Sequence, residues 1–286
     1  MKILNGSELA GFVKERQAAE VRMLRAGGLN GQKIIPKLVI IRDSDNPVIT
    51  KYVELKKRYG EDIGVEVEDW LVRREADEEE TEKNRQETAA ENLAEAIRRA
   101  NADQTVHGII VQLPLNNPEQ TDEIVQKIAP EKDVDGLSGK GNFDSATATA
   151  INWLLAGHGI ELDGKKIALV GRGRLVGAPL YKMWTDSRLS VTMLHSGDDL
   201  SQLRDYDVVV TATGVPHLIK PEMIRPGAVV VDAGTTSEDG AIVGDVDEAV
   251  RERDDLAAIT PTIGGVGPLT VEVLFENVIT AAKQNS

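Results

Sequence analysis

Tyr52 and Lys56, in Tyr52-Val-Glu-Leu-Lys56, stand four residues apart, so on a helix a phenol and an ammonium share one face. A Lys held partly out of water has its pKa lowered and can move protons near neutrality. Most Tyr/Lys pairs at this spacing are surface packing, so other residues must join them before they amount to a site. Gln112 follows a short apolar run and precedes Leu113-Pro114-Leu115. That puts an amide able to donate and accept at the carboxyl end of a predicted strand, where ligands of open α/β sheets gather. A strand-ending Pro beside a solvated Gln is the plainer alternative. Pro130-Glu-Lys-Asp133-Val-Asp135-Gly136 sets two carboxylates two positions apart. A metal would want more oxygen ligands than this segment offers, and one carboxylate gripping two parallel N–H donors fits better.

A second group of residues has the chemistry of phosphate binding. Gly171-Arg172-Gly173-Arg174-Leu-Val-Gly177 lies between a predicted strand and a predicted helix. Its spacing, G-x-G-x-x-x-G, is one residue longer than the common dinucleotide fingerprint. Glycines there allow a tight turn and bring backbone N–H groups to a pyrophosphate at a helix N-terminus. Alone the string is a strand–helix turn, but the Val/Ile runs before and after it favour a cofactor. The next strand ends in Leu194-His195-Ser196, and Asp198 and Asp199 come two or three positions later than a ribose-binding carboxylate should. A guanidinium from Arg172 or Arg174 and a hydroxyl suit a 2′-phosphate, so NADP is favoured over NAD. Near the C-terminus, Gly264, Gly265 and Gly267 precede Pro268. Such a loop lets backbone approach a ligand closely, although a plain helix start with Pro near its first position has the same composition.

The elements that must position these groups follow from periodicity. Short Val/Ile-rich runs alternate with longer helical segments, which predicts βαβ units and a mostly parallel sheet. Strands are expected over residues 37–41, 64–71, 107–112, 166–170, 190–194, 207–211, 228–232 and 256–260. Helices are expected over residues 6–25 (opened by Ser7, closed by Gly27-Gly28), around Tyr52 to Tyr59, from the acidic run Asp77-Glu-Glu-Glu80 to about 101–103, and over 119–128, 147–158, 180–186 and 269–283. The Gly-rich residues 136–145 mark a domain boundary, and the last helix is expected to return to the first domain.

Composition bounds the function. Lys and Arg number 33 against 47 Asp and Glu, a formal charge of −14 over 286 residues. Such a chain makes a poor nucleic-acid surface, while a small basic pocket for one phosphorylated cofactor stays open. The absence of Cys excludes disulfides, thiolate zinc sites and a Cys nucleophile. His107, His158, His195 and His217 are scattered, so no metal site is expected. With aromatics at 3%, the core must be aliphatic, which suits parallel sheet under helices. No apolar run approaches the roughly 20 residues of a membrane helix, and residues 1–17 turn polar too soon for a signal peptide. A soluble, cytoplasmic protein is expected.

The order of the motifs is more telling than any one of them. Y-x-x-x-K, V-Q-L-P-L, P-E-K-D-V-D-G, V-G-R-x-x-x-V-G-x-P, G-D-V-D and G-G-V-G-P-L-T occur in that sequence from Tyr52 to the C-terminus. The set resembles the bifunctional methylenetetrahydrofolate dehydrogenase/methenyltetrahydrofolate cyclohydrolase family over nearly the whole chain. The resemblance implies a two-domain α/β enzyme. Residues 1–143 plus 268–286 would form the catalytic, folate-binding domain, and residues 144–267 a Rossmann-like NADP-binding domain with parallel sheet, with the folate cleft between them. It also implies a homodimer acting in one-carbon metabolism. The enzyme would oxidise 5,10-methylenetetrahydrofolate with NADP and hydrolyse the methenyl product to 10-formyltetrahydrofolate.

By matched position, Lys56 would be the catalytic lysine, Tyr52 would stack or hydrogen-bond near the folate, and Gln112 would hold and tune Lys56. Asp135 would bind the pteridine, whose N–H and amino group lie side by side. Gly265 and Pro268 would line the place where nicotinamide meets folate. Gly171, Arg172, Gly173, Arg174, Gly177, Ser196, Thr147 and Thr213 would face NADP, with Arg172 and Ser196 on its 2′-phosphate. The sequence departs from the family at three places. Ser145-Ala-Thr147-Ala stands for the usual Pro-Cys-Thr-Pro after a shortened loop, Gly173 for a Ser, and Pro261-Thr-Ile-Gly-Gly for Pro-Val-Pro-Gly-Gly. Two alternatives remain at this point: a monofunctional NAD(P)-dependent methylene-pterin dehydrogenase, and a non-catalytic folate- or nucleotide-binding regulator.

Overall fold

The computed structural model describes residues 1–28, 31–72, 82–238 and 241–284. Its elements run β1 (Lys2–Ile3), α1 (Gly6–Ala26), β2 (Lys37–Arg42), α2 (Pro47–Ile63), β3 (Glu66–Leu71), α3 (Glu82–Ala102), β4 (Gly108–Val111), α4 (Thr121–Val125) and α5 (Ala146–Gly157). They continue with β5 (Lys166–Val170), α6 (Gly177–Asp186), β6 (Ser190–Leu194), β7 (Val208–Thr211), β8 (Val229–Asp232), β9 (Thr236–Glu238), β10 (Ala241–Val243), α7 (Glu248–Arg251), β11 (Ala258–Ile259) and α8 (Val266–Gln284).

The chain divides into two compact units, Met1–Phe12 with Ser145–Val273, and Val13–Asp144 with Leu274–Ser286. In the second of these, a three-stranded parallel sheet has the order β3-β2-β4. Its central strand is covered on both faces, with Leu38, Val39, Ile40 and Ile41 all fully buried, which is why it reads as an unbroken apolar run. The end of α8 belongs to this unit: the Phe275 ring lies 4.9 Å from that of Tyr59, and Asn277 Nδ2 donates to the Val134 carbonyl at 2.8 Å. The C-terminal helix thus returns to the unit of β2 and β4.

The other unit holds a six-stranded, wholly parallel sheet of order β1-β11-β8-β7-β5-β6. The chain runs outward from β5 to β6 and then crosses to β7 on the other side of β5, a doubly wound arrangement with its switch point between β5 and β7. Val208, Val209, Val210, Val230 and Val231 build its aliphatic interior.

Several expectations shift. The first helix is opened by Asn5, whose Oδ1 accepts from Ser7 N at 3.0 Å, and not by the Ser7 side chain. The helix expected over 119–128 is a short 3-10 turn followed by the five residues of α4. The last helix begins three residues early, at Val266, so Pro268 falls in its first turn, where a missing N–H is harmless. The strand β1 and the hairpin β9–β10 were not expected. β1 pairs with β11, register Lys2 to Ala258, and that pairing groups Met1–Phe12 with the later residues instead of with residues 13–143. The acidic run Asp77–Glu80 lies outside the described residues.

Candidate active site

Lys56 stands midway along α2, and the helix is fixed at both ends. The Asn46 side chain accepts from Val48 N at 2.8 Å, Pro47 occupies the first turn, and Gly64 closes the helix at φ 87° while its N–H donates to Gly60 O. Ile49, Val53, Tyr59 and Ile63 bury one stripe, and Gly60 lets the helix approach β3 so closely that a Cβ there would overlap Val67. Lys56 sits at the edge of that stripe, half-buried. Its Nζ donates to Gln112 Oε1 at 2.8 Å. Gln112 leaves the carboxyl end of β4, its own N–H donating to Ile41 O at 2.8 Å, and its Nε2 donates to Leu113 O at 3.0 Å. The amide is therefore oriented with its carbonyl toward the lysine. Removal from water lowers the Lys56 pKa, and the charge of Asp135 works against that fall.

The two carboxylates after β4 have separate fates. Asp133 is fully buried and shapes its loop: Oδ1 accepts from Leu137 N at 3.1 Å, and Oδ2 from Ser138 N at 2.9 Å and Ser138 Oγ at 2.6 Å. No hydrogen bond among the described residues holds the Asp135 carboxylate. Burial pushes Asp135 up to about 7, with Lys56 pulling it down and Asp133 pushing it further up. A carboxylate and an amine, each drawn toward neutrality by burial and each within reach of the other's charge, are suited to acid–base work. Tyr52 lies one turn before Lys56 with its ring exposed, and no hydrogen bond among the described residues joins it to Lys56 or Gln112.

In the other unit, the glycine turn leaves β5 at the switch point. Gly171 takes φ 113°, and a Cβ there would overlap Ala212 O; a Cβ on Gly177 would overlap Gly171 O. Gly173 has no such need, since its nearest neighbour would be Ala212 O at 3.9 Å. α6 starts at Gly177 with no side-chain cap; Ala178 N donates to Gly173 O at 3.0 Å and Pro179 has no N–H, which leaves Gly177 N as the first-turn donor for a phosphate. Arg172 is exposed beside the turn. Ser145, the departure from the family pattern, caps α5 weakly through Ala148 N and donates to Leu175 O at 2.8 Å, tying the far side of the turn to the helix that carries Thr147.

The turn after β6 bears on the choice of nucleotide. Asp198 Oδ2 accepts from His195 N at 2.7 Å and lies 3.0 Å from His195 Nδ1, and these contacts, helped by Arg172, hold its carboxyl low. Asp199 Oδ1 accepts from Ser201 N at 3.0 Å. Both carboxylates that could hold ribose hydroxyls are engaged within their own turn, while Ser196 is exposed and Arg172 is close enough to act on Asp198. These residues fit a nucleotide with a 2′-phosphate.

Gly264, at φ 88°, presents its carbonyl to the start of α1, accepting from Gly6 N at 2.8 Å and Ser7 N at 3.1 Å. Gly265 is buried against Thr260, and Pro268 is half-buried in the first turn of α8. Thr213 N donates to Asp245 Oδ2 at 2.6 Å, and Thr213 Oγ1 accepts from Val215 N at 3.1 Å. Asp245 belongs to a cluster with Asp232 and Arg251 to which sequence reasoning assigned no role, Arg251 Nη2 donating to Asp232 Oδ2 at 2.6 Å. Its signal was Gly234 and Gly244, each packed so that a Cβ would overlap the Asp245 and Asp232 carboxylates respectively.

Comparison with known proteins agrees with this geometry. Residues 4–135 match the model of the tetrahydrofolate dehydrogenase/cyclohydrolase catalytic domain, and residues 145–286 that of the NAD(P)-binding domain of the same enzymes. The chain belongs to the tetrahydrofolate dehydrogenase/cyclohydrolase family. Among relatives in this family, the bifunctional protein FolD of Macrococcus caseolyticus is 38% identical over 297 residues, covering 99% of this chain and 98% of that protein. FolD of Halothermothrix orenii is 36% identical over 299 residues, with the same coverage. The crystal structure of the bifunctional enzyme FolD from Campylobacter jejuni matches with a TM-score of 0.87 at 31% identity, covering both chains fully. That of the Trypanosoma brucei enzyme, complexed with NADP cofactor and inhibitor, matches with 0.83 at 29% identity, over 99% of this chain and 97% of that one. Most of each family model falls in one unit, while residues 4–12 of the catalytic model and 274–286 of the NAD(P)-binding model fall in the opposite unit.

Proposed function

We propose that this family member oxidises 5,10-methylenetetrahydrofolate to the 5,10-methenyl form with NADP and hydrolyses that product to 10-formyltetrahydrofolate. The observation that carries both halves is the Lys56–Gln112–Asp135 group, in which a depressed amine is oriented by an amide and faces a carboxylate raised to about 7. NADP, when bound at the glycine turn, supplies the hydride acceptor. The cation left on the substrate carbon is shared by two nitrogens, so the dehydrogenase step asks the protein for positioning more than for acid–base help. Asp135 is suited to that task, accepting side-by-side pteridine donors through an otherwise unheld carboxylate.

Water addition does need proton transfer. Neutral Lys56, its remaining N–H aimed at Gln112, takes a proton from the attacking water as the oxygen bonds to the carbon. It returns that proton to N5 as the C–N5 bond breaks, and the hydroxyl on the carbon releases its own proton to solvent, leaving the formyl group on N10. Tyr52 is assigned to the substrate's ring face, Gly265 and Pro268 to the reacting end, and Gly171, Arg172, Gly173, Arg174, Gly177, Ser196, Thr147 and Thr213 to the nucleotide. In this assignment residues 1–143 with 268–286 do the folate chemistry and 144–267 hold the dinucleotide. The first twelve residues, grouped by β1 with the nucleotide unit, support the Gly264 loop there.

Assay with methylenetetrahydrofolate and NADP or NAD in parallel, following reduced nicotinamide and the methenyl absorbance together, tests the proposal. Reduced cofactor with NADP and only transient methenyl signal is expected. Accumulating methenyl product would make the enzyme a monofunctional dehydrogenase, and binding without turnover would make it a regulator. No helix among the described residues is long and apolar enough to cross a membrane. A cytoplasmic homodimer fits the family resemblance, and sedimentation of the intact chain would show whether two copies associate.

A further inference from the structure

The buried cluster at the carboxyl ends of β7 and β8 has a charge imbalance. Asp232 Oδ1 accepts from Gly234 N and Asp245 N, both at 3.1 Å, and its Oδ2 accepts from Val246 N at 3.0 Å and from Arg251. Asp245 Oδ2 accepts from Thr211 Oγ1 and Thr213 N, both at 2.6 Å. Asp245 is 1% exposed, and its Oδ1 is buried with no hydrogen-bond partner. Arg251 gives its other donors to Val246 O, Glu248 and Thr260 O. Arg251 thus meets the carboxylates of Asp232 and Glu248, while no ion pair among the described residues reaches Asp245, whose Oδ1 no donor satisfies. Burial also raises Asp232, with Asp245 adding to the rise. Such an oxygen normally costs stability and calls for an explanation.

Its place supplies one. A dinucleotide on a doubly wound sheet lies across the carboxyl ends of the strands, one half on each side of the switch point. The phosphate-binding turn follows β5, so the other half falls to the strands on the far side, β7 and β8. The residue over Asp245 Oδ1 is Gly234, where any Cβ would overlap that oxygen. Gly234 is itself only half-buried. Granting the dinucleotide assignment above, we infer that Asp245, with Asp232 and Arg251, is a specificity device for the redox state of the nicotinamide, a net negative charge beneath the sheet edge that favours the cationic oxidised ring over the neutral reduced one. Asp245 touches no substrate on this account. It acts through space, and at the low effective dielectric of a buried site one unpaired charge is felt across several ångströms.

Calorimetric binding of oxidised and reduced NADP to the full chain tests this. Asp245→Asn keeps acceptors for Thr211 and Thr213 and removes the charge. It is expected to weaken NADP⁺ binding about tenfold, about 1.4 kcal/mol, and to leave NADPH within about twofold. Arg251→Gln removes the cation and is expected to move the ratio the opposite way. A purely structural role would weaken both forms alike in both variants, and equal losses would overturn the inference. So would failure of both variants to fold, which would make the cluster a core element only. If the wild-type chain bound neither nucleotide, the cofactor assignment itself would fall, an outcome separate from an unchanged ratio.

Discussion

Burial draws Lys56 and Asp135 each toward neutrality while the charge of each opposes the other's shift, and this sets the pH behaviour of the site. Asp135 keeps its proton up to about 7 in the folded protein. Below that pH its carboxylate loses the charge that would grip side-by-side N–H donors. The folate KM is therefore expected to rise as pH falls through 7, and Asp135→Asn to show a KM that is high and flat across the same range; steady-state kinetics from pH 5.5 to 8.5 would show it. Stability follows the opposite logic. A carboxyl raised in the folded state is protonated there while the unfolded chain has already lost the proton, so its contribution to stability falls as pH rises from the ordinary 3.8 to about 7. Asp135→Asn is thus expected to gain in Tm relative to wild type at pH 8 and not at pH 3.5. Lys56→Ala removes the proton carrier. Cyclohydrolase activity is expected to fall by about 10²–10⁴-fold, the ordinary contribution of a positioned acid or base, while NADP binding survives. Lys56, Gln112 and Asp135 were legible because each sits in a short string whose types already suggest a task. Asp232, Asp245 and Arg251 were not, because they meet only after the excursion through β9 and β10 brings Asp245 back to the end of β8.

The parallel sheets were the most readable elements. Residues 166–170 and 190–194 coincide with β5 and β6 to the residue; β5 is buried from Ile167 to Val170, as a covered parallel strand should be, while β6 lies at the sheet edge and buries only Leu194. β1 was invisible: two residues carry no periodicity, and its partner β11 is some 250 positions away. Helix starts were misplaced where the capping group came from outside the apolar pattern, as with Asn5 ahead of Ser7. The glycine turn shows how the sequence string and the backbone need differ. All three glycines match the fingerprint, yet only Gly171 and Gly177 lack room for a side chain. Gly177→Ala is expected to displace the turn and raise the NADP KM at least tenfold, while Gly173→Ala, with open space around its Cβ, changes it by less than about twofold. A misplacement of about 1 Å at a phosphate cradle accounts for a loss of that size. Equal effects from the two alanines, measured by NADP titration, would place the constraint elsewhere.

Net charge is a property of the molecule entire, and here it pulls two observables apart. A surplus of 14 negative charges repels itself in the compact state, which salt relieves as the screening length falls from about 10 Å at 0.1 M to about 3 Å at 1 M. The same screening weakens the attraction of exposed Arg172 for an anionic nucleotide, which has to approach an acidic protein in the first place. Raising NaCl from 0.05 to 0.5 M is therefore expected to raise Tm by a few degrees while the NADP KM rises several-fold. Buried groups such as the Lys56–Gln112 pair are screened far less. The folate-side turnover at saturating NADP is then expected to change little over the same range. Thermal melts and steady-state kinetics on one salt series would show whether the three responses separate. A Tm that fell with salt would mean that favourable ion pairs, such as Arg42 with Asp69 and Arg251 with Asp232, outweigh the self-repulsion of the acidic surface.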